Sequence, residues 1–169
     1  MKRIANFYKV SLGQFINDMK DTFGEKYNDN MLTEIYNNIE LPVRATKGSA
    51  GHDISIPFTA SINPNDILKI PTGIRCEMDE NYVMLIFPRS SLGIKKGMVI
   101  LNTIPVIDSD YYNADNEGHI FICIKNNSNK TMSLNAGDNI VQGVFVKYGV
   151  ADNKNVKNKR IGGIGSTSE

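Results

Sequence analysis

The hydrophobic periodicity of the chain changes once, near residue 41, and that change constrains the fold more than any other feature. Before it, Leu12, Phe15, Ile16, Met19 and Phe23 recur at three-to-four spacing, Gly24 interrupts, and Met31, Leu32, Ile35, Tyr36 and Ile39 resume the same period. This is the pattern of helices that bury one face. Ser11-Leu12-Gly13-Gln14 matches a capping box, with Ser11 as N-cap and Gln14 reaching back to it. Two amphipathic helices are predicted, after a short apolar start (Ile4, Phe7, Tyr8, Val10) and ending before Pro42. They serve either as a cap docked on the remainder or as a module for a regulatory protein partner.

From Leu41 onward the period becomes two. Ile54, Ile56 and Phe58 alternate with polar residues, as do Ile120, Ile122 and Ile124, and short β-rich runs recur at 66–70, 82–87, 98–104, 131–134 and 140–148. Asn63-Pro64-Asn65-Asp66 and Asn135-Ala136-Gly137-Asp138 separate them with turn chemistry. Many short strands at this spacing predict a mainly β sandwich, jelly roll or barrel. The division expected is a helical extension over 1–40, a β domain over 41–150 and an arm over 151–169. That arm is polar, rich in Lys, Asn and Gly, and lacks periodicity, so alone it is expected to be flexible.

Composition narrows the partners. In 169 residues, 19 Lys+Arg against 18 Asp+Glu give a formal charge of +1, so duplex DNA and anionic membranes meet no broad basic face. Direct nucleic-acid binding is not expected. The longest apolar run, Tyr82 to Phe87, is six residues, against roughly 20 for a membrane helix. Met1-Lys2-Arg3 leads into no apolar signal core. Cys76 and Cys123 have no Cys-x-x-Cys spacing and only His52 and His119 as companions, which reads as two reduced thiols and a cytoplasmic setting.

Three loops concentrate chemistry. In Pro88-Arg89-Ser90-Ser91-Leu92-Gly93 an arginine fork, two hydroxyls and backbone amides suit phosphate oxygens; the alternative is a serine-rich surface turn. In Val106-Ile107-Asp108-Ser109-Asp110-Tyr111 the two carboxylates, if extended, face opposite ways. One can then face a pocket and activate a water while the other anchors the turn; an Asx-turn pair is the alternative. In Lys159-Arg160-Ile161-Gly162-Gly163-Ile164-Gly165-Ser166-Thr167 the Gly-Lys-Ser/Thr ending of a P-loop is missing, but glycines and hydroxyls can still wrap phosphate.

Taken in order, these segments resemble a known family. Ser49-Ala50-Gly51-His52-Asp53, Pro88 to Gly93, Asn102 to Tyr111, Gly137-Asp138-Asn139-Ile140-Val141-Gln142 and Gly162 to Thr167 are similar to the five ordered motifs of the trimeric deoxyuridine triphosphate nucleotidohydrolases (dUTPases). The resemblance implies a jelly-roll or β-clip barrel and hydrolysis of dUTP to dUMP and pyrophosphate. This reaction keeps uracil out of DNA and supplies dUMP for thymidylate synthesis. It also implies a homotrimer with shared active sites. Asp108 sits where the family has its general base, and Tyr111 where an aromatic packs on deoxyribose. Asn102, with backbone around Val106, Ile107 and Phe121, sits where uracil is read. Arg89, Ser90, Ser91, Gly93 and Gln142 match phosphate-binding positions. Asp53 matches a carboxylate that holds waters of a Mg²⁺ bound mainly by the triphosphate. The arm residues Lys159, Arg160, Ile164, Gly165, Ser166 and Thr167 would close over a neighbouring subunit's nucleotide.

The departures from the family pattern are local. Ile164 replaces the stacking phenylalanine, and either Lys159 or Arg160 takes the phosphate-contacting role of the arm's arginine. Pro105 stands where a glycine is common and Asn139 where an arginine is common. The segment between Tyr111 and Gly118 is longer than the family's short Tyr-x-Gly turn. Two alternatives share the fold. A dCTP deaminase needs a glutamate where counting from Gly118 gives Cys123, and Ile120 to Ile124 contains no carboxylate. A nucleotide-controlled binding protein would place partner contacts on 11–39 and 112–117.

Overall fold

A computed structural model describes residues 2–151; the arm positions Lys159, Arg160, Ile164, Gly165, Ser166 and Thr167 lie outside them. In chain order the elements are β1 (Ala5–Lys9), α1 (Leu12–Phe23), a 3-10 turn (Gly24–Lys26), α2 (Asp29–Asn37), β2 (Val43–Arg44), β3 (His52–Ser55) and β4 (Ala60–Ile62). Then come β5 (Ile67–Pro71), β6 (Ile74–Met78), β7 (Tyr82–Pro88), a helical turn (Ser91–Lys95), β8 (Met98–Ile100) and β9 (Val106–Ile107). A second 3-10 turn (Ser109–Asn113), β10 (Phe121–Asn126), β11 (Met132–Leu134) and β12 (Asn139–Lys147) follow. Among the described residues the strands form the antiparallel arrays β2-β3-β12-β7-β9, β5-β10-β8, β11-β4 and β1-β6. The expected mainly β architecture is present.

Alternation along the strands supplies the core. Ile54, Ile56 and Phe58 from one run and Ile120, Ile122 and Ile124 from the other are all buried, because side chains two apart on a strand share a face. Phe15 and Met19 of α1 and Leu32 of α2 bury into the same cluster. Each such side chain contributes roughly 1.5–3 kcal/mol when fully buried, so the helices are part of the packing that holds the sheets. The short apolar start is a strand: β1 pairs with β6 from Ala5 opposite Met78 to Lys9 opposite Ile74. Its Phe7 packs against His52 and Phe145, at ring-centroid distances of 5.6 and 5.9 Å.

Two local expectations are corrected. The run 98–104 is extended only to Ile100; a turn follows in which Thr103 takes φ 63°. Half of the capping box forms, since the Ser11 hydroxyl accepts the Gln14 amide at 3.1 Å. The other half does not. The Gln14 side chain donates to Asp18 (2.9 Å), while the Ser11 amide and hydroxyl donate to Glu117 at 2.7 and 2.6 Å. A carboxylate two oxygens wide satisfies both donors at once, and a glutamine carbonyl does not. Both cysteines are free, and burial pushes the Cys76 thiol up to about 12. No helix among the described residues is long and apolar enough to cross a membrane.

Burial works to raise the Glu117 carboxyl, but the Ser11 hydrogen bonds, Arg75 and His119 outweigh it and hold the group below its ordinary range. A carboxyl lowered on folding adds stability that is present above its unfolded value and is lost as pH falls through the folded one. Thermal melts between pH 7 and pH 3 are expected to show Tm falling through the carboxylate range and Glu117→Gln flattening part of that fall. An identical pH profile in the variant would remove Glu117 from this role.

Candidate active site

Three of the loops singled out in the sequence meet on the central strands of the five-stranded sheet. Asp53 on β3 lies directly opposite Gln142 on β12, and Gln142 lies opposite Phe87 on β7. Directly opposed residues of an antiparallel pair point to the same face. Pro88, which lacks an amide hydrogen, ends β7, and the Arg89 amide donates to Ile140 at 3.1 Å. Arg89 is thereby turned onto the Asp53–Gln142 pair, and its guanidinium forms an ion pair with Asp53. Asp53, Arg89, Ser90, Gln142, Ser49 and Gly51 line one cavity of about 150 Å³. It holds a cation, two hydroxyls and an amide side chain, which suit phosphate oxygens, beside the Asp53 carboxylate.

Gly51 is fixed by space. A Cβ there would stand 2.2 Å from Gln142 Oε1, so the missing side chain is what lets Gln142 reach into the cavity. His52 faces the other way, edge-on to Phe145 at 5.3 Å, and burial lowers its pKa. Ser90 and Ser91, grouped by the sequence, separate here. Ser91 lines a different cavity of about 140 Å³ with Lys96, Asp138 and Asn139. Gly93 sits in the helical turn, where its amide and that of Leu92 donate to the Arg89 carbonyl at 3.3 and 2.9 Å.

The Asp108 segment forms a second assembly. Asn102 lies in the turn before β9, and the Leu101 amide donates to Cys123 O at 2.9 Å. This brings the turn, Val106 and Ile107 of β9, and Phe121 at the start of β10 to one end of the molecule. Asp108 is exposed and precedes the 3-10 turn without capping it through its side chain. Because 109–113 is a 3-10 turn and not extended chain, Asp108 and Asp110 open onto the same groove, contrary to the expectation of opposite faces. That groove has a volume of about 830 Å³, and among the described residues Glu77 and Glu80 line it too. Tyr111 is only 5% exposed and its hydroxyl donates to His119 O at 2.6 Å; Tyr112 lines the groove in its place.

The two assemblies are far apart on one chain. Met84 of β7 pairs with Ile107, so continuing the register sets Asp108 level with Val83. Arg89 stands six residues further along, about 20 Å at the rise of an extended strand. The groove holding the candidate base and the cavity holding Arg89, Ser90 and Gln142 therefore lie too far apart on one chain to meet the same small ligand.

Comparison with known proteins decides the family. A dUTPase family model matches residues 37–168. The chain belongs to the dUTPase family. The deoxyuridine 5'-triphosphate nucleotidohydrolase of Lactococcus lactis subsp. lactis (strain IL1403) is 43% identical over 132 residues, 76% of this chain and 88% of that protein. The crystal structure of dUTPase from Streptococcus mutans superimposes with a TM-score of 0.66 at 34% identity, covering 88% of this chain and 99% of that one. The dUTPase from phage phi11 of S. aureus gives 0.61 at 26%, covering 72% and 91%. The architecture is the dUTPase fold, and the family match spans every loop of the two assemblies.

Sequence reasoning did not find Arg75, whose guanidinium lies 3.7 Å from the Tyr112 ring centroid and donates to Tyr112 O at 2.6 Å. Five arginines in the whole sequence was the available signal. It also missed the dependence of Gln142 on Gly51. Gly51→Ala is expected to displace Gln142 and to weaken pyrophosphate binding by about 1.5–3 kcal/mol, the usual value of one hydrogen bond to a charged group. Calorimetric titration of Gly51→Ala, Gln142→Ala and the double variant checks this. The double variant should lose no more than either single one, and additive losses would show that Gly51 acts elsewhere.

Proposed function

We propose that this dUTPase-family enzyme hydrolyses dUTP to dUMP and pyrophosphate in a homotrimer, with Asp108 of one chain activating water beside phosphates held by another. The observation that carries this reading is the separation along β7. Arg89 and Asp108 lie too far apart to serve one triphosphate on a single chain, and among the described residues Glu77, Glu80, Asp108 and Asp110 line the groove beside the base. Phosphate bound beside these carboxylates needs cationic groups next to it. A heterologous contact repeated around a threefold axis delivers one chain's Arg89, Ser90 and Gln142 to the next chain's Asp108. Exposed Val99, Leu101, Ile104 and Val106 form an apolar strip flanking Asn102, as an association surface requires.

In this reading Asp108 accepts a proton from the water as it attacks the α-phosphorus, and Arg89 and Ser90 bind the phosphate oxygens on which charge accumulates. Gln142, which lines the same cavity, belongs to this phosphate-binding set. Asn102 and the backbone of Val106, Ile107 and Phe121 read uracil. Tyr111, anchored through its hydroxyl, is a rigid wall against a 2′-hydroxyl. The arm residues Lys159, Arg160, Ile164, Gly165, Ser166 and Thr167 complete the enclosure. Among the described residues no three His, Cys, Asp or Glu side chains group to hold a metal ion. Asp53, the carboxylate lining the Arg89 cavity, suits Mg²⁺ carried by the triphosphate with its water shell, whose waters it would reach. Bound there, the ion would offset phosphate charge.

Supplying dUTP and dCTP separately with Mg²⁺ tests the reaction: pyrophosphate from dUTP is expected, and ammonia from dCTP would end this reading. Asp108→Asn should lose at least about 100-fold in kcat, as loss of a general base does, with nucleotide binding retained. Mixing Asp108→Asn chains with Arg89→Ala chains, each inactive alone, should restore roughly a quarter of sites if they are shared around the ring. No recovery after co-refolding would overturn the shared site. Tyr111→Ala should raise kcat/KM for UTP relative to dUTP. An unchanged ratio there, with a changed ratio in Tyr112→Ala, would move the sugar contact by one residue.

A further inference from the structure

We propose that helix α1 and the lengthened loop after Tyr111 form one brace for the catalytic segment, in which Asp18, His119 and Glu117 are positioning residues for Asp108 and Tyr111. This rests on the assignment of Asp108 as the base. The family match begins at residue 37, so Ser11 and Asp18 lie outside it, yet both bond to the loop. Glu117 accepts the Ser11 amide and hydroxyl at 2.7 and 2.6 Å and lies 3.8 Å from Arg75. There it also sits at the positive end of the α1 dipole.

The second tie is buried. The His119 side chain is inaccessible, with Nε2 accepting the Gly73 amide at 2.7 Å and Nδ1 standing 2.5 Å from Asp18 Oδ2. A ring nitrogen that accepts carries no proton, so Nδ1 holds it and Asp18 is the acceptor. The backbone carbonyl of the same histidine accepts the Tyr111 hydroxyl at 2.6 Å, and Asn116 donates to that hydroxyl at 2.9 Å. The Tyr111 amide in turn donates to Asp108 O at 3.2 Å. A continuous series thus runs from α1 through Asp18, His119 and Tyr111 to Asp108. Two steric limits narrow its freedom. A Cβ on Gly118 would stand 2.6 Å from Tyr111 O, and one on Gly73 would stand 2.3 Å from Ile39 Cδ1.

A displacement of about 1 Å at a reacting group can lower a rate on the order of 100-fold. Asp18→Ala is therefore expected to lower kcat for dUTP by about 10- to 100-fold with KM within about twofold, and to narrow the dUTP-to-UTP preference. Asp18→Asn, whose amide oxygen still accepts from Nδ1–H, should restore kcat to within about threefold of wild type. Ile16→Ala trims the half-buried face of the same helix without touching the loop. It should lower Tm and leave kcat at 25 °C near wild type. If Asp18→Ala does not fold, Glu117→Ala, which lies outside the core, reads the same coupling. Wild-type kcat in both Asp18→Ala and Glu117→Ala, or an equal kcat loss in Ile16→Ala, would overturn the brace. Turnover retained in Asp108→Asn would instead sink the assignment beneath it, so the two failures separate.

Discussion

The register of β7 between its two neighbours is the constraint on which the site depends. One edge of this strand pairs with β12 from Tyr82 opposite Lys147 to Pro88 opposite Val141, and the other pairs with β9 at Met84 and Leu85. A slip of one residue would send Met84 and Ile86, both fully buried, to the opposite face. Gly143 helps to fix the fit, since a Cβ there would meet Met84 Sδ at 2.6 Å. Once the register is set, Arg89 must leave at one end of β7 and Asp108 must lie beside the other. The separation of Arg89 from Asp108 follows from strand pairing before any side-chain chemistry is considered.

That separation also explains how a chain of net charge +1 can serve a polyanion. In the proposed reading Arg89 is a cation for phosphate, and its guanidinium is held by Asp53. An arginine held in this way adds little to the surface potential and keeps its planar fork near the cavity. The carboxylates of the Asp108 groove sit at the far end of β7, and the one carboxylate beside Arg89 among the described lining residues, Asp53, is ion-paired with it. Placed groups at two ends of one strand do what a basic surface would otherwise have to do.

The periodic parts of the fold were legible because burial imposes them locally. Ile120, Ile122 and Ile124 announce β10, Phe15 and Met19 announce the inner face of α1, and five ordered motifs locate the loops. What could not be read is pairing across long sequence separations. Nothing in Ala5–Lys9 names β6 as its partner, and the cap that completes Ser11 is Glu117, 106 residues away. Ser90 and Ser91 look equivalent in sequence and line different cavities, because the chain turns helical between them. Asp108 and Asp110 were expected on opposite faces from an extended geometry that the 3-10 turn replaces.

The N-terminal helices and the longer loop depend on each other for a reason that hydrogen-bond energetics supplies. His119 is buried with two ring nitrogens to satisfy; Gly73 satisfies one and Asp18 the other. Leaving a buried donor unpaired costs about 1–3 kcal/mol, more than a typical hydrogen bond contributes when both partners are present. A loop carrying His119 without α1 would bear that penalty at the residue whose carbonyl anchors Tyr111. Helix α1 without Glu117 would lose the acceptor for the Ser11 amide and hydroxyl that completes its N-terminal cap. The buried His119–Asp18 pair, with the exposed Ser11–Glu117 bonds beside it, thus ties the first 40 residues to the Asp108–Tyr111 segment through polar pairing and not by apolar contact alone.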